Sequence, residues 1–454
     1  MNLIARLSAL ALGAFLSAVS ISAAAQTKLT LEQAVAVALE KNPVRKAAVF
    51  EQRAAFAGFK LSRAPLLPRI AFSETYQDGN DPVYVFGSKL RQQRFASADF
   101  ALNQLNAPTP FSNYVTRFSG QWQLFDSGAT WARMMQARKA SDLAQRNLDR
   151  TDQELVMRVV DAYTGLLLAK RQVEVAREAL KSSQSVLDRA RSNVEAGMSV
   201  ESDLLSAQVN HAARQQELIR AENDASIAAA RLNHELGVAA DTTYELGGVL
   251  ADRVFPSEPL DQLEARALDR RPDLRGIALQ QSIQQNSVKI AKAAFGPTVN
   301  AVGNWESDNP RFSGGGGNDW MFGLEVRLDL FDGGARTAQL QRERALKQKV
   351  DALRESAVSG VRLEVRKAYF DYDSARRQLE VARAAVAQAD ESLRIGHDRY
   401  DAGLNTITDL LRMEEADVRA KTDYWQAVYR VQSSYADLEL ATGTLNPDSP
   451  VVKP

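Results

Sequence analysis

The phrase VEAGMSVESDLL at residues 194–205 returns nearly unchanged as YDAGLNTITDLL at 400–411, and each copy closes a long run of helical periodicity. Working outward at the same displacement of 206, AKRQVEVAREA (169–179) aligns with ARRQLEVARAA (375–385), and LFDSGA (124–129) with LFDGGA (330–335). The match holds on to Gly237 and Gly443. Nearer the N-terminus the displacement is 229: KLSRAPLLP (60–68) matches KIAKAAFGP (289–297), and ALEKNP (38–43) matches ALDRRP (267–272). The chain is therefore an internal duplication. The change from 229 to 206 gives the first copy 23 extra residues, within 78–114.

Both copies run in one order: a helical opening, a strand, a connection, a strand, a very long helix, a tight turn and a second helix. The first copy spans 26–237, with strands near 69–77 and 115–125 and a helical hairpin over 128–237. The second spans 259–443, with strands near 298–306 and 320–331 and a hairpin over 334–443. Residues 238–258 link them and 444–454 form a tail. A secretory signal peptide is expected over 1–25, from Arg6, an apolar run Leu7 to Ile21, and Ala23-Ala24-Ala25 before Gln26. Gln26 leaves no cysteine there to carry a lipid.

The strand segments alternate with period two. In WMFGLEVRLDLF (320–331), Trp320, Phe322, Leu324, Val326, Leu328 and Leu330 share a face opposite Gly323, Glu325, Arg327 and Asp329. In TRFSGQWQLF (116–125), Phe118, Trp122 and Leu124 oppose Arg117, Ser119, Gln121 and Gln123. Each run has about the ten residues of a tilted membrane strand, although a soluble sandwich alternates in the same way. After the leader no stretch carries 18 consecutive apolar residues, so a membrane span has to be built from strands.

The long helices carry a strict seven-residue seam. Val159, Leu166, Val173, Leu180, Leu187 and Val194 interleave with Ala162, Ala169, Ala176, Ser183, Ala190 and Gly197. The second copy repeats it with Val365, Tyr372, Leu379, Val386, Leu393 and Tyr400, interleaved with Ala368, Ala375, Ala382, Ala389, Gly396 and Gly403. Small residues at alternate seam positions let helices approach closely and supercoil with a left hand. Gly197 and Gly403 stand where a left-handed C-terminal cap belongs, and Ser199 and Asn405 are expected to cap the return helices. Each phrase is thus a hairpin tip. Asp203 and Asp409 fit helix-start electrostatics; in a symmetric assembly they also form rings around an axis, which favour cations.

With its duplicated strand-strand-helix plan, LFDSGA and LFDGGA junctions, AGxxxxxDLL tips and Ala-rich seams, the mature chain resembles the TolC-like outer-membrane efflux protein family over essentially its whole length. The resemblance implies a mixed α and β membrane protein: a homotrimer whose four strands per chain build a 12-stranded outer-membrane barrel, continued by a coiled-coil helical barrel in the periplasm of a Gram-negative cell. It implies a gate at Asp203, Asp409 and Tyr400, with Asn405 and Arg412 standing where some members carry a gating Arg and a second acid. It places adaptor docking at Gly197, Met198, Gly403 and Leu404. The implied partners are a periplasmic adaptor, an inner-membrane transporter of the RND or ABC type, and outer-membrane lipid.

Enzyme chemistry finds no constellation to rest on. His211, His234 and His397 lack metal-ligand spacing, SGGGGN (313–318) lacks a phosphate-loop context, and there is no Cys, so no cofactor, metal or disulfide is expected. Lys+Arg and Asp+Glu are both 56, so no net field draws nucleic acid. The expected function is the passive exit duct of a tripartite efflux or type I secretion system. The rival reading is a periplasmic coiled-coil structural or adaptor protein without a pore.

Overall fold

The computed structural model describes residues 28–312 and 314–453; the expected signal peptide lies outside the described residues. The chain runs α1 (Leu31–Lys41), α2 (Pro43–Leu61), β1 (Arg69–Gly79), α3 (Pro82–Arg91), α4 (Leu102–Asn106), β2 (Phe111–Phe125), α5 (Ala129–Glu195), α6 (Glu201–Leu236), α7 (Leu260–Arg270), α8 (Pro272–Ala293), β3 (Thr298–Asn309), β4 (Gly317–Arg327), α9 (Ala335–Asp401) and α10 (Ile407–Ala441). Among the described residues, no helix is long and apolar enough to cross a membrane.

Local chemistry sets the breaks. Pro43 and Pro272 open α2 and α8, where the missing N–H costs nothing. The LFDxGA junctions are N-terminal caps: Asp126 Oδ2 accepts from the Thr130 N–H at 2.6 Å, and Asp332 Oδ2 from the Arg336 N–H at 2.9 Å. These caps launch α5 and α9, each 67 residues and therefore about 100 Å long. Along α5, Ala162, Ala169, Ala176, Ser183 and Ala190 are all buried, as are Val365, Ala368, Tyr372, Ala375, Leu379 and Gly396 along α9. One large core joins both hairpins. The connection between the copies belongs to it: Phe255 stacks on Tyr435 at 4.3 Å, and its N–H donates to the Tyr372 hydroxyl at 2.9 Å. Leu445, Val451 and Val452 of the C-terminal segment are buried in the same core.

The four strands form one antiparallel sheet in the order β1-β2-β3-β4. Its register sorts the two faces. Ile70, Phe72, Tyr76, Phe118, Trp122, Trp305, Trp320, Phe322, Leu324 and Val326 share one face and stand exposed on it. Ser73, Arg117, Glu306 and Asp319 lie directly opposite one another across all four strands on the other face. Among the described residues, the outer edges of β1 and β4 pair with nothing.

Two sequence expectations need correction. The strand expected over 320–331 runs instead from Gly317 to Arg327. Its partner β3 starts at Thr298, directly after Pro297, so Leu328 to Phe331 have no ladder to join. The strand near 115–125 starts earlier, at Phe111, where it pairs with Gly79.

Candidate functional site

The two tips, at the ends of the hairpins farthest from the sheet, are built alike. Gly197 takes φ +70° and Gly403 φ +71°. Beyond α5, the Gly197 N–H donates to the Val194 carbonyl at 3.0 Å and the Met198 N–H to Asn193 at 2.8 Å. Beyond α9, the Gly403 N–H donates to Tyr400 at 3.0 Å and the Leu404 N–H to Arg399 at 2.8 Å. This paired closure needs a left-handed residue, which explains the glycine in each phrase. It also thrusts Met198 and Leu404 outward, 74% and 68% exposed.

The return helices begin one residue later than the expected caps. Val200, which offers no side-chain acceptor, precedes α6, and Thr406 precedes α10. Ser199 is too early to cap; its hydroxyl donates to Asp203 instead. Asn405 is likewise one position early and half-buried. Thr406 Oγ1 accepts from the Asp409 N–H at 3.2 Å and donates to the Asp409 carboxylate at 2.6 Å, a reciprocal cap. The Thr406 hydroxyl, with the nearby Arg412 charge adding to it, holds the Asp409 carboxyl below its ordinary range. Both acids therefore start helices within one chain.

Tyr400 packs against a tip cluster of Val186, Leu187, Ala190, Ala207, Ile407 and Leu410, drawn from both hairpins. Burial pushes its phenol above the ordinary range, and the Asp203 and Asp401 charges push the same way. Tyr400 and Asp203 are thus brought within electrostatic reach, while Arg412 is exposed on α10.

The structure adds tip contacts that the sequence reading missed. Arg189 on α5 pairs with Asp401 on α9 at 2.7 Å, joining the hairpins close above the glycines. Higher up, the Ser182 hydroxyl donates at 2.6 Å to Glu414 of α10, a buried carboxylate that Asn210 also reaches. Lys421 sits between Asp390 at 2.9 Å and Asp417 at 2.8 Å. Its burial opposes the charge, but the two carboxylates outweigh it and raise its pKa. The sequence signal was present: Ser182-Ser183 interrupts an Ala-rich seam, and Glu414 and Asp417 fall on the buried side of α10. No group of side chains with metal-ligand geometry occurs among the described residues.

A sequence profile described as outer membrane efflux protein matches residues 34–238 and 263–444, the two copies in turn. Protein CyaE of Bordetella pertussis is 27% identical over 421 residues, covering 92% of this chain and 84% of that protein. The alkaline protease secretion protein AprF of Pseudomonas aeruginosa is 26% identical over 415 residues, covering 90% and 83%. A crystal structure of a membrane protein from Pseudomonas aeruginosa superposes with a TM-score of 0.79 at 21% identity, covering 91% of this chain and 92% of that one.

Proposed function

The chain belongs to the outer membrane efflux protein family, and from that premise we propose that three copies close into a single duct whose inner end is gated at the hairpin tips. The observation that carries this reading is the sheet, with an exposed aromatic face, a polar face and two unpaired edges. Open edges cannot face lipid, because each unpaired N–H and C=O there costs several kcal/mol. Pairing β4 of one copy with β1 of the next removes every edge, and three copies make twelve strands. The aromatic face then meets the outer-membrane lipid and the polar face lines water. A pore-free periplasmic coiled coil would have no use for either feature.

The helices continue the duct into the periplasm. Tyr400, Asp203, Asp409, Asn405 and Arg412 form its entrance, and the outward-thrust Met198 and Leu404 beside Gly197 and Gly403 offer apolar knobs to a periplasmic adaptor. The energy comes from an inner-membrane transporter of the ABC or RND type. Opening moves the tips apart, and the adaptor biases that equilibrium.

Detergent-purified protein is expected to show three copies by native mass and discrete conductance steps in planar bilayers. Asp203→Ala/Asp409→Ala should abolish block by trivalent cations added at the tip side. A monomer that stays in solution without detergent and conducts nothing would refute the duct. Conductance with block unaffected by the double substitution would return both acids to capping alone.

A further inference from the structure

The two copies differ most between their strands. Residues 310–316 suffice to join β3 to β4, whereas 80–110 join β1 to β2 and fold α3 back over the polar face. The fold-back is pinned. Arg91, at the end of α3, donates to Glu306 at 2.7 Å, and Arg117 of β2 grips the other oxygen of that buried carboxylate at 2.7 Å. Gln92 donates to Asn113 at 2.8 Å, and Asn113 in turn to Asp308. The Arg91 carbonyl abuts Gly317, where a side chain would find no room, so the segment reaches across β2 and β3 to the start of β4. Val85 and Ser88 are buried beneath it. Val83 and Leu90 of α3, together with Phe100 and Leu102, are exposed apolar side chains.

We propose that 80–110 is a lid on the outward mouth of the duct: three copies project inward from the polar face, and their exposed apolar side chains meet on the threefold axis. The inference rests on the trimeric duct of the preceding section. Twelve strands spaced about 4.8 Å and tilted about 40° give a backbone radius of roughly 12 Å. Three helices, each about 10–12 Å across with its side chains, fill a bore of that radius and leave almost no open channel. The occupant of each apolar stripe is therefore the same stripe of the other two copies, brought there by the strand edges that close the barrel.

The lid is tested without reference to the tip gate by labelling from the outward side. The chain has no Cys, so Glu325→Cys, on the polar face near the helical end of β4, supplies a unique target. A polymer-linked maleimide applied outside should label it about tenfold faster once 80–110 is replaced by a short Gly-Ser connector, because access through a narrow pore is sterically set. A small maleimide should label both proteins. Arg91→Ala/Gln92→Ala, which keeps the segment and removes its pins, covers the case in which the replacement fails to fold, and should also label faster. In the otherwise native chain, Leu90→Cys should cross-link between copies with a short bifunctional reagent. Equal polymer labelling of all variants, with the small probe reacting throughout, would overturn the lid and leave the duct standing. Failure of even the small probe to label Glu325→Cys in the connector variant would overturn both.

Discussion

Arg189→Gln removes the ion pair that ties the tip of the first hairpin to Asp401 at the tip of the second, 2.7 Å away. Both side chains are about half exposed, 48% and 46%, so solvent screens the pair and each copy gains only about 0.3–1 kcal/mol from it. In the proposed trimer, a tip gate that opens in all three copies together breaks three such pairs, about 1–3 kcal/mol in total. At about 1.4 kcal/mol per factor of ten, that is a rise of roughly fivefold to hundredfold in the ratio of open to closed duct. Single-channel dwell times in planar bilayers measure the ratio directly. The effect should be largest at low ionic strength and nearly vanish at ~1 M salt, where the Debye length is about 3 Å and the native duct already behaves like the variant. Exchanging the partners, Arg189→Asp with Asp401→Arg, should restore most of the closed population. An unchanged open probability in Arg189→Gln at low salt, or no recovery in the exchanged pair, refutes the pairing as a latch.

Gly237 is another left-handed glycine, at φ +70°, and a Cβ there would lie 2.8 Å from Asn42 Cα and 2.9 Å from the Lys41 carbonyl. Gly237→Ala should therefore cost about 2–4 kcal/mol, while Gly403→Ala, with open space around it, should cost about 1 kcal/mol; thermal midpoints followed by the helical signal compare them. Burial pushes the Glu439 carboxyl up to about 7, with the Ser449 hydroxyl partly opposing. Its folded value lies above the ordinary 4.5, so its neutral form contributes fully below pH 4.5 and that contribution is lost as pH rises through about 7. Glu439→Gln should thus leave stability unchanged at about pH 4 and raise it by up to about 3 kcal/mol at about pH 8, read as midpoints across pH. On the sheet, Trp305→Arg puts a charge on the aromatic face proposed to meet lipid and should cost about 2–4 kcal/mol in bilayer folding titrations, whereas Asn304→Arg, on the opposite polar face, should cost little.

The duplication was legible because it is written in whole phrases, and the long helices because six heptads in register leave little else possible. The tip glycines were legible for a related reason: only one residue type closes that turn without strain. The cap of α6 slipped by a single position to Val200, which has no side chain to cap with, while that of α10 slipped likewise because asparagine and threonine both cap and stand side by side at 405 and 406. The helix settled where Thr406 and Asp409 satisfy each other, not where Asn405 stood alone. Strand ends were set by partners: Leu328 and Leu330 alternate perfectly and still leave the sheet, because Pro297 ends the neighbouring ladder. The fold of 80–110 was illegible, since its pins to Glu306 and Asn113 span 215 and 21 residues and leave no period in the sequence.

The departures from repetition carry as much as the repeats. Displaced by 206, Arg189 corresponds to Ile395 and Asp401 to Glu195; Ser182 corresponds to Gln388 and Glu414 to Gln208. Within a chain, the seam between the first and second hairpins is closed by an ion pair and a hydroxyl-carboxylate bond. In the proposed trimer the next seam, between copies, brings Ile395 toward Glu195 and Gln388 toward Gln208, with neither contact available. The hairpins also differ internally: Lys421 bridges Asp390 and Asp417 in the second, where the first has Gln215, Gln184 and His211. In that trimer six similar hairpins meet through two alternating kinds of seam, one latched and one not. A force spread evenly around the tips separates the weaker kind first. The unlatched seams therefore part first, and the duct is fully open only once the three latched seams, with their Arg189–Asp401 pairs, part as well.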